Sequence, residues 1–377
     1  MSTNITVDLI LDNRLERSSY ALNELIVALS IMEMICAGFV PVKIFQVPVE
    51  TVLFLVLTYA CTRITYDKIQ VMLLVFLASG IALSFLTNDY LTFLRINKVN
   101  ILAVLSLLYF SKVRFRSRLI LPAFILTTCM IVIHLIYPVS MAPLIGLSTF
   151  QDFNESRFGG LFLNAHFNAY FMAIALIFYG HRKRLFGLGI PLLYFTYSKF
   201  VLVSYLANII AELRPFKLFL NHRIIFIIVT GAGISLIWIY SDRVISYFST
   251  DRLGSLAIIL MQLTDPAYYH LLLNQIPTSN IDVAAHAKAL YLHHDGHNEI
   301  GYFYLTIVCG VYISVFYLYL LFREVRFFRV FVFVSLLHIG AFVLTPLIIY
   351  MLVSYSREIE IHHQLQHCNN MLVWNKN

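Results

Sequence analysis

Residues 97–137 read NKVNILAVLSLLYFSKVRFRSRLILPAFILTTCMIVIHLIY. Two apolar runs, 97–111 and 118–137, flank a connection carrying Lys112, Arg114, Arg116 and Arg118. A run of about 20 apolar residues suits roughly 30 Å of hydrocarbon. Short basic connections between such runs specify membrane orientation. This pattern decides the expected fold.

Working outward, similar runs fall at 21–40, 44–61, 69–87, 163–179, 185–197, 200–213, 222–240, 301–322 and 327–354. The expectation is an all-α polytopic membrane protein with about eleven or twelve transmembrane helices, a single integral membrane domain over 1–377. The runs 185–197 and 200–213 are short and suggest a hairpin turning near Tyr197-Ser198-Lys199. The last run contains Pro346, which leaves one kinked helix or two short ones. Some twenty polar residues precede the first run, so that run is expected to stay in place rather than be cleaved.

Composition agrees with lipid as the main solvent. Of 377 residues, 60% are hydrophobic and only 12% are Asp, Glu, Lys or Arg, against about a quarter charged in soluble domains. The net charge of +7 argues for no nucleic-acid partner, because its cations cluster in the connections. Arg63 and Lys68, then Lys112 to Arg118, Arg182 to Arg184, Arg214 with Lys217 and Arg223, and Arg323 with Arg326 and Arg329 all fall on one side if the runs alternate. The positive-inside rule makes that side the cytoplasm. Cys36, Cys61, Cys129, Cys309 and Cys368 show no ligand or disulfide spacing and read as small apolar fillers.

The opposite side keeps three connections, 88–96, 138–162 and a large periplasmic loop at 241–300. A connection that long is usually functional or disordered. Within it, 251–263 (DRLGSLAIILMQL) has an apolar face at helical spacing, suited to the membrane surface or to capping the bundle. Arg95, Lys98, Arg157, Lys199, Arg243, Arg252 and Lys288 are cations on this outer side. They suit an anionic partner such as a lipid diphosphate; the plainer reading is contact with phospholipid headgroups.

The densest polar cluster is His293-His294-Asp295-Gly296-His297-Asn298-Glu299. Three readings compete. His297 or Glu299 acts as a general base; His293, His294, Asp295 and His297 bind a metal, although the spacing fits no standard zinc pattern; or the segment is a solvated helix start capped by Asp295 or Asn298. No cofactor or metal is expected. Asn164, His166 and Asn168 lie in a run of small and polar residues and can bond across helices. Glu24 and Glu33 in the first run suit either a transport path or interhelical bonding, the latter being favoured.

The order of these features resembles the O-antigen polymerase and O-antigen ligase superfamily of bacterial envelope glycosyltransferases. Arg157-Phe158-Gly159-Gly160-Leu161-Phe162-Leu163-Asn164 is similar to the family's Arg-Phe-x-Gly-x-Phe-x-Asn stretch. Ser198-Lys199-Phe200 stands where the family has Ser-Arg-Gly, and Asp251-Arg252-Leu253 where it has Gly-Arg-Leu. Asp295-Gly296-His297-Asn298-Glu299-Ile300-Gly301 is similar to the closing His-x-His-Asn-x-x-Leu, with Asp295 for the first His. The loop lacks the family's Pro-x-x-Gly-x-Gly and reads Asp265-Pro266-Ala267-Tyr268-Tyr269.

The resemblance covers about 150–330. It implies a GT-C-like fold and, for the function, a polymerase joining undecaprenyl-diphosphate-linked repeat units at the periplasmic face of the inner membrane. His297, Arg252, Arg157 and Glu299 would be catalytic. Lys199, Arg243, Arg95, Lys98, His294, Asn298 and Asn164 would hold diphosphate and glycan. Implied partners are the lipid-linked oligosaccharides, membrane lipid, and a chain-length regulator and flippase of the same route. A ligase acting on lipid A core is the nearest alternative. A lipid-linked oligosaccharide flippase is the alternative of another class, against which the absence of an obvious internal repeat counts.

Overall fold

A computed structural model describes residues 20–36, 44–87, 101–136, 161–162, 165–183, 189–195, 199–212, 310–336 and 345–374. The described elements are helical: α1 (20–36), α2 (Gln46–Cys61), α3 (Lys68–Thr87), α4 (101–110), α5 (Ile120–Ile136), α6 (Ala165–Lys183), α7 (Gly189–Phe195), α8 (Lys199–Glu212), α9 (Val311–Glu324), α10 (Arg329–Leu336) and α11 (Pro346–Trp374). A single 3-10 turn, Arg326–Phe328, joins α9 to α10.

The expectation of eleven or twelve transmembrane helices is corrected. Among the described residues no helix is long and apolar enough to cross a membrane. One physical reason is that an apolar window does not show where a helix ends. The helix α9, described at both ends, has 14 residues and at 1.5 Å per residue reaches only about 21 Å. The long α11 carries Arg357, Glu358 and Glu360 in its middle.

Contacts divide the chain into two compact units. The first comprises 1–65, 102–202 and 345–377. Its centre is built on α4, α6 and α11, each buried around its whole circumference for part of its length, as core helices are. Residues 168–178 of α6 and 347–353 of α11 are all buried. Ala169, Ala173 and Ala175 leave room on α6 for close neighbours, and α5, α7 and α11 pack against it. Phe178 of α6 stacks on Tyr355 of α11 with ring centroids 3.8 Å apart. Tyr109 of α4 donates its hydroxyl to Asn23 Oδ1 of α1, and Cys61 at the end of α2 reaches the Leu105 carbonyl of α4 at 3.5 Å.

The second unit comprises 66–101 and 203–344. Here α3 packs on α9, with Phe76 stacked on Tyr312 at 5.3 Å and against Phe316 at 5.2 Å. Asp67 and Gln70 form a reciprocal cap at the start of α3. The Gln70 N–H donates to Asp67 Oδ1 at 2.9 Å, and the Asp67 N–H donates to Gln70 Oε1 at 3.0 Å. Two donors that the helix leaves over are thereby satisfied. Gly310, at φ 80° before α9, occupies a backbone region that costs glycine little.

Pro346 neither kinks a continuous helix nor lies within one: it opens α11. Proline is favoured at a first helical position because its missing N–H would be unbonded there anyway.

Candidate functional site

The best-connected polar site among the described residues lies in the first unit, where the segment 112–119 passes from α4 to α5. Alternate side chains face opposite ways. Lys112, Arg114, Arg116 and Arg118 are exposed, Val113 and Phe115 are half-buried, and Ser117 is buried.

Glu24 of α1 holds the inner side. Its Oε2 accepts the Ser117 hydroxyl at 2.6 Å, and its Oε1 accepts the Arg118 N–H at 2.8 Å and the Tyr20 hydroxyl at 2.9 Å. The Ser117 hydroxyl oxygen in turn accepts the Leu119 N–H at 3.1 Å. These bonds satisfy backbone donors just ahead of α5, where the helix dipole also favours a negative charge. Lost hydration, then the hydrogen bond to Glu24 and its charge, raise the pKa of the Tyr20 phenol; the charge of Arg118, whose guanidinium lies 5.4 Å over the Tyr20 ring, pulls the other way.

The C-terminal helix closes the other side. The Tyr350 hydroxyl accepts the Ser117 N–H at 2.6 Å and donates to the Phe115 carbonyl at 3.4 Å. Arg357 donates to the Phe110 carbonyl at 3.1 Å and also to that of Ser111, covering the carbonyl end of α4. Arg116 pairs with Glu358 at 3.2 Å and lies 5.5 Å over the Phe178 ring. Chemically this is a positioning site: it fixes four outward cations by binding the backbone between them. Glu24 therefore ties α1 to the connection between α4 and α5.

A second polar junction lies in the other unit. Asp67, besides capping α3, accepts from Arg323 at 2.7 Å, and Arg323 also pairs with Glu324 at 3.0 Å. Burial opposes the Arg323 charge, but the hydrogen bonds and charges of Asp67 and Glu324 outweigh it and raise its pKa. Asn208 of α8 accepts the Phe331 N–H of α10 at 3.2 Å, and Arg329 donates to the Phe322 carbonyl at 2.8 Å.

His297, Arg252, Arg157, Glu299, Arg243, Arg95, Lys98, His294, Asn298 and Asn164 lie outside the described residues. Lys199 is the first residue of α8. Part of the stretch at 157–164 is described: Phe162 is fully buried, its ring centroid is 5.1 Å from that of Phe171, and its N–H donates to Asn168 Oδ1 at 3.3 Å. Asn168 thus bonds along its own chain. Among the described residues no group of three or more His, Cys, Asp or Glu is placed to hold a metal ion.

The sequence reading missed Ser117, Tyr350 and Arg357 as site residues. The spacing of the basic connection was a usable signal for Ser117. Nothing local to 346–374 announces that its Tyr and Arg reach back more than 200 positions. No family model matches the chain, no curated protein is similar to it beyond chance, and no solved structure shares a detectable likeness.

Proposed function

We propose that the chain is a bacterial inner-membrane glycosyltransferase that joins lipid-linked oligosaccharide repeat units into a surface polysaccharide. The support is the order of four motifs, at 157–164, 198–200, 251–253 and 295–301. The observation that carries it is the anchoring of the first: Phe162 is buried beside α6 with its N–H bonded to Asn168. One end of the motif is thereby tied to a core helix, and preorganisation is what a transferase needs.

In this reading the donor is a glycan on undecaprenyl diphosphate and the acceptor a single repeat unit on the same lipid. The acceptor hydroxyl forms a bond to the donor's anomeric carbon as the bond from that carbon to the diphosphate oxygen breaks. The diphosphate leaves with the bonding electrons. His297 takes the hydroxyl proton, a role worth about 10²–10⁴-fold in rate. Arg157, Lys199 and Arg252 balance the charge gathering on the diphosphate, where one preorganised donor contributes roughly 3–4 kcal/mol. The anomeric centre passes through an oxocarbenium-like state, as in glycoside hydrolysis.

Arg252→Ala or His297→Ala, expressed in cells lacking the native copy, tests the proposal by gel analysis of lipopolysaccharide. Core carrying a single repeat is the expected result. Bare core with accumulated lipid-linked polymer identifies a ligase instead. Unchanged ladders with normally expressed protein remove both residues from the chemistry.

A further inference from the structure

The four cations between α4 and α5 do more than the bonds behind them require. Ser117, Glu24, Tyr350 and Arg357 secure this segment through its backbone and one hydroxyl. None of those bonds uses the Arg114 side chain, which is exposed. Lys112, Arg114, Arg116 and Arg118 are all exposed while Val113, Phe115 and Ser117 between them are half-buried or buried, so the segment turns its positive charges outward together.

What adjoins the row is apolar. Leu119 and Leu121 are 37% and 45% exposed, and Ile125, Leu126 and Ile133 of α5 continue the same exposure at 53%, 48% and 48%. On α1, Leu25 is 46% exposed one position after Glu24. Exposed apolar patches of this kind mark interaction surfaces. Two chemistries therefore meet at one edge, a line of cations and then an apolar helix face. A nucleic acid would match the first and leave the second in water. A phospholipid surface matches both, with phosphates at the cations and acyl chains along α5.

We propose that the Lys112–Arg118 row and the exposed face of α5 form a binding surface for anionic phospholipid. Arg116 and Arg118 are steadied by Glu358 and by the Tyr20 ring, and Arg114 is exposed beside them. This surface belongs to the first unit alone and is independent of the glycosyltransferase reading.

The test uses the full chain in neutral detergent micelles doped with phosphatidylglycerol or, at equal mole fraction, with phosphatidylcholine. Ligand that binds only the folded state raises the unfolding midpoint. Phosphatidylglycerol is expected to raise it at a lower mole fraction than phosphatidylcholine. Each cation near an anionic surface contributes about fivefold in affinity. Lys112→Gln with Arg114→Gln should therefore move half-saturation by phosphatidylglycerol about 25-fold upward and leave the phosphatidylcholine response alone. Arg114→Gln by itself should give about fivefold, which covers the case that the pair fails to fold. Equal responses to the two lipids, an unchanged half-saturation in the variants, or an equal shift from inorganic phosphate at matched charge each overturn the proposal.

Discussion

The Ser117 hydroxyl donates to the Glu24 carboxylate at 2.6 Å across 93 positions of sequence. The same carboxylate takes the Arg118 N–H, so one acid on α1 fixes how the chain enters α5. Glu24→Ala leaves those donors without their acceptor. It should cost about 2 kcal/mol, the range for hydrogen bonds to a charged group, and Glu24→Gln about half as much. Chemical unfolding of the purified protein checks both values; equal stability of Glu24→Ala and wild type refutes the clamp.

Tyr350 meets the same segment from the C-terminal helix. Tyr350→Phe keeps the ring that packs 4.9 Å from Phe110 and 6.2 Å from Phe115 and removes the hydroxyl that accepts the Ser117 N–H. A loss of about 1–2 kcal/mol is expected. Because Glu24 and Tyr350 act on the same residue, a double-mutant cycle should show coupling of at least about 0.5 kcal/mol. Strict additivity would mean that the two hold Ser117 independently.

Asp67 performs two tasks and Arg323 shares in one of them. Arg323→Ala removes the partly exposed ion pairs with Asp67 and Glu324 and should cost about 0.5–1 kcal/mol. Asp67→Ala also removes the cap on α3, adding about 1 kcal/mol. Asp67→Ala should thus be the more damaging of the two, and the difference should survive high salt, which screens the ion pair. Thermal unfolding at low and high salt gives the ordering.

Asn208 is buried and its side-chain oxygen serves the third residue of α10. Asn208→Leu strands the Phe331 N–H away from water, at about 1–3 kcal/mol. Hydrogen exchange of that amide should quicken selectively, while amides in the first unit keep their protection.

Asn168 offers the test closest to the proposed chemistry. Asn168→Ala frees the Phe162 N–H and should shorten or thin the polysaccharide ladder at normal expression, whereas Asn168→Asp, which keeps the acceptor oxygen, should do so less. A normal ladder from Asn168→Ala separates the Phe162 anchor from function.

Helix positions were readable wherever an apolar run was bounded by charge. The runs 44–61, 69–87 and 118–137 correspond to Gln46–Cys61, Lys68–Thr87 and Ile120–Ile136. Where polar residues continue a helix instead of ending it, the pattern misled. The run assigned to 327–354 is divided, with a bend at Thr345 and α11 opening at Pro346. That last helix continues to Trp374 through residues too polar to be counted as apolar. Helix content was therefore visible, but the membrane-crossing count was not, because hydropathy reports composition and not where caps such as Asp67 begin a helix. Glu24 was read as bonding between helices, but it bonds a connection instead, and the Ser117 hydroxyl and Arg118 N–H that meet it are 93 and 94 positions away.

The first unit takes its residues from three separate stretches, the last of them 345–377. A ribosome adds about 5–20 residues each second. After residue 202 the growing chain therefore waits on the order of ten seconds before Tyr350 and Arg357 exist to close over residues made long before. During that interval the Phe178 ring has no Tyr355 to stack on, and the start of α5 relies on Glu24 alone. A chaperone or membrane insertase acting on this protein would find its earlier-made stretches the part most in need of cover until 345–377 has been made.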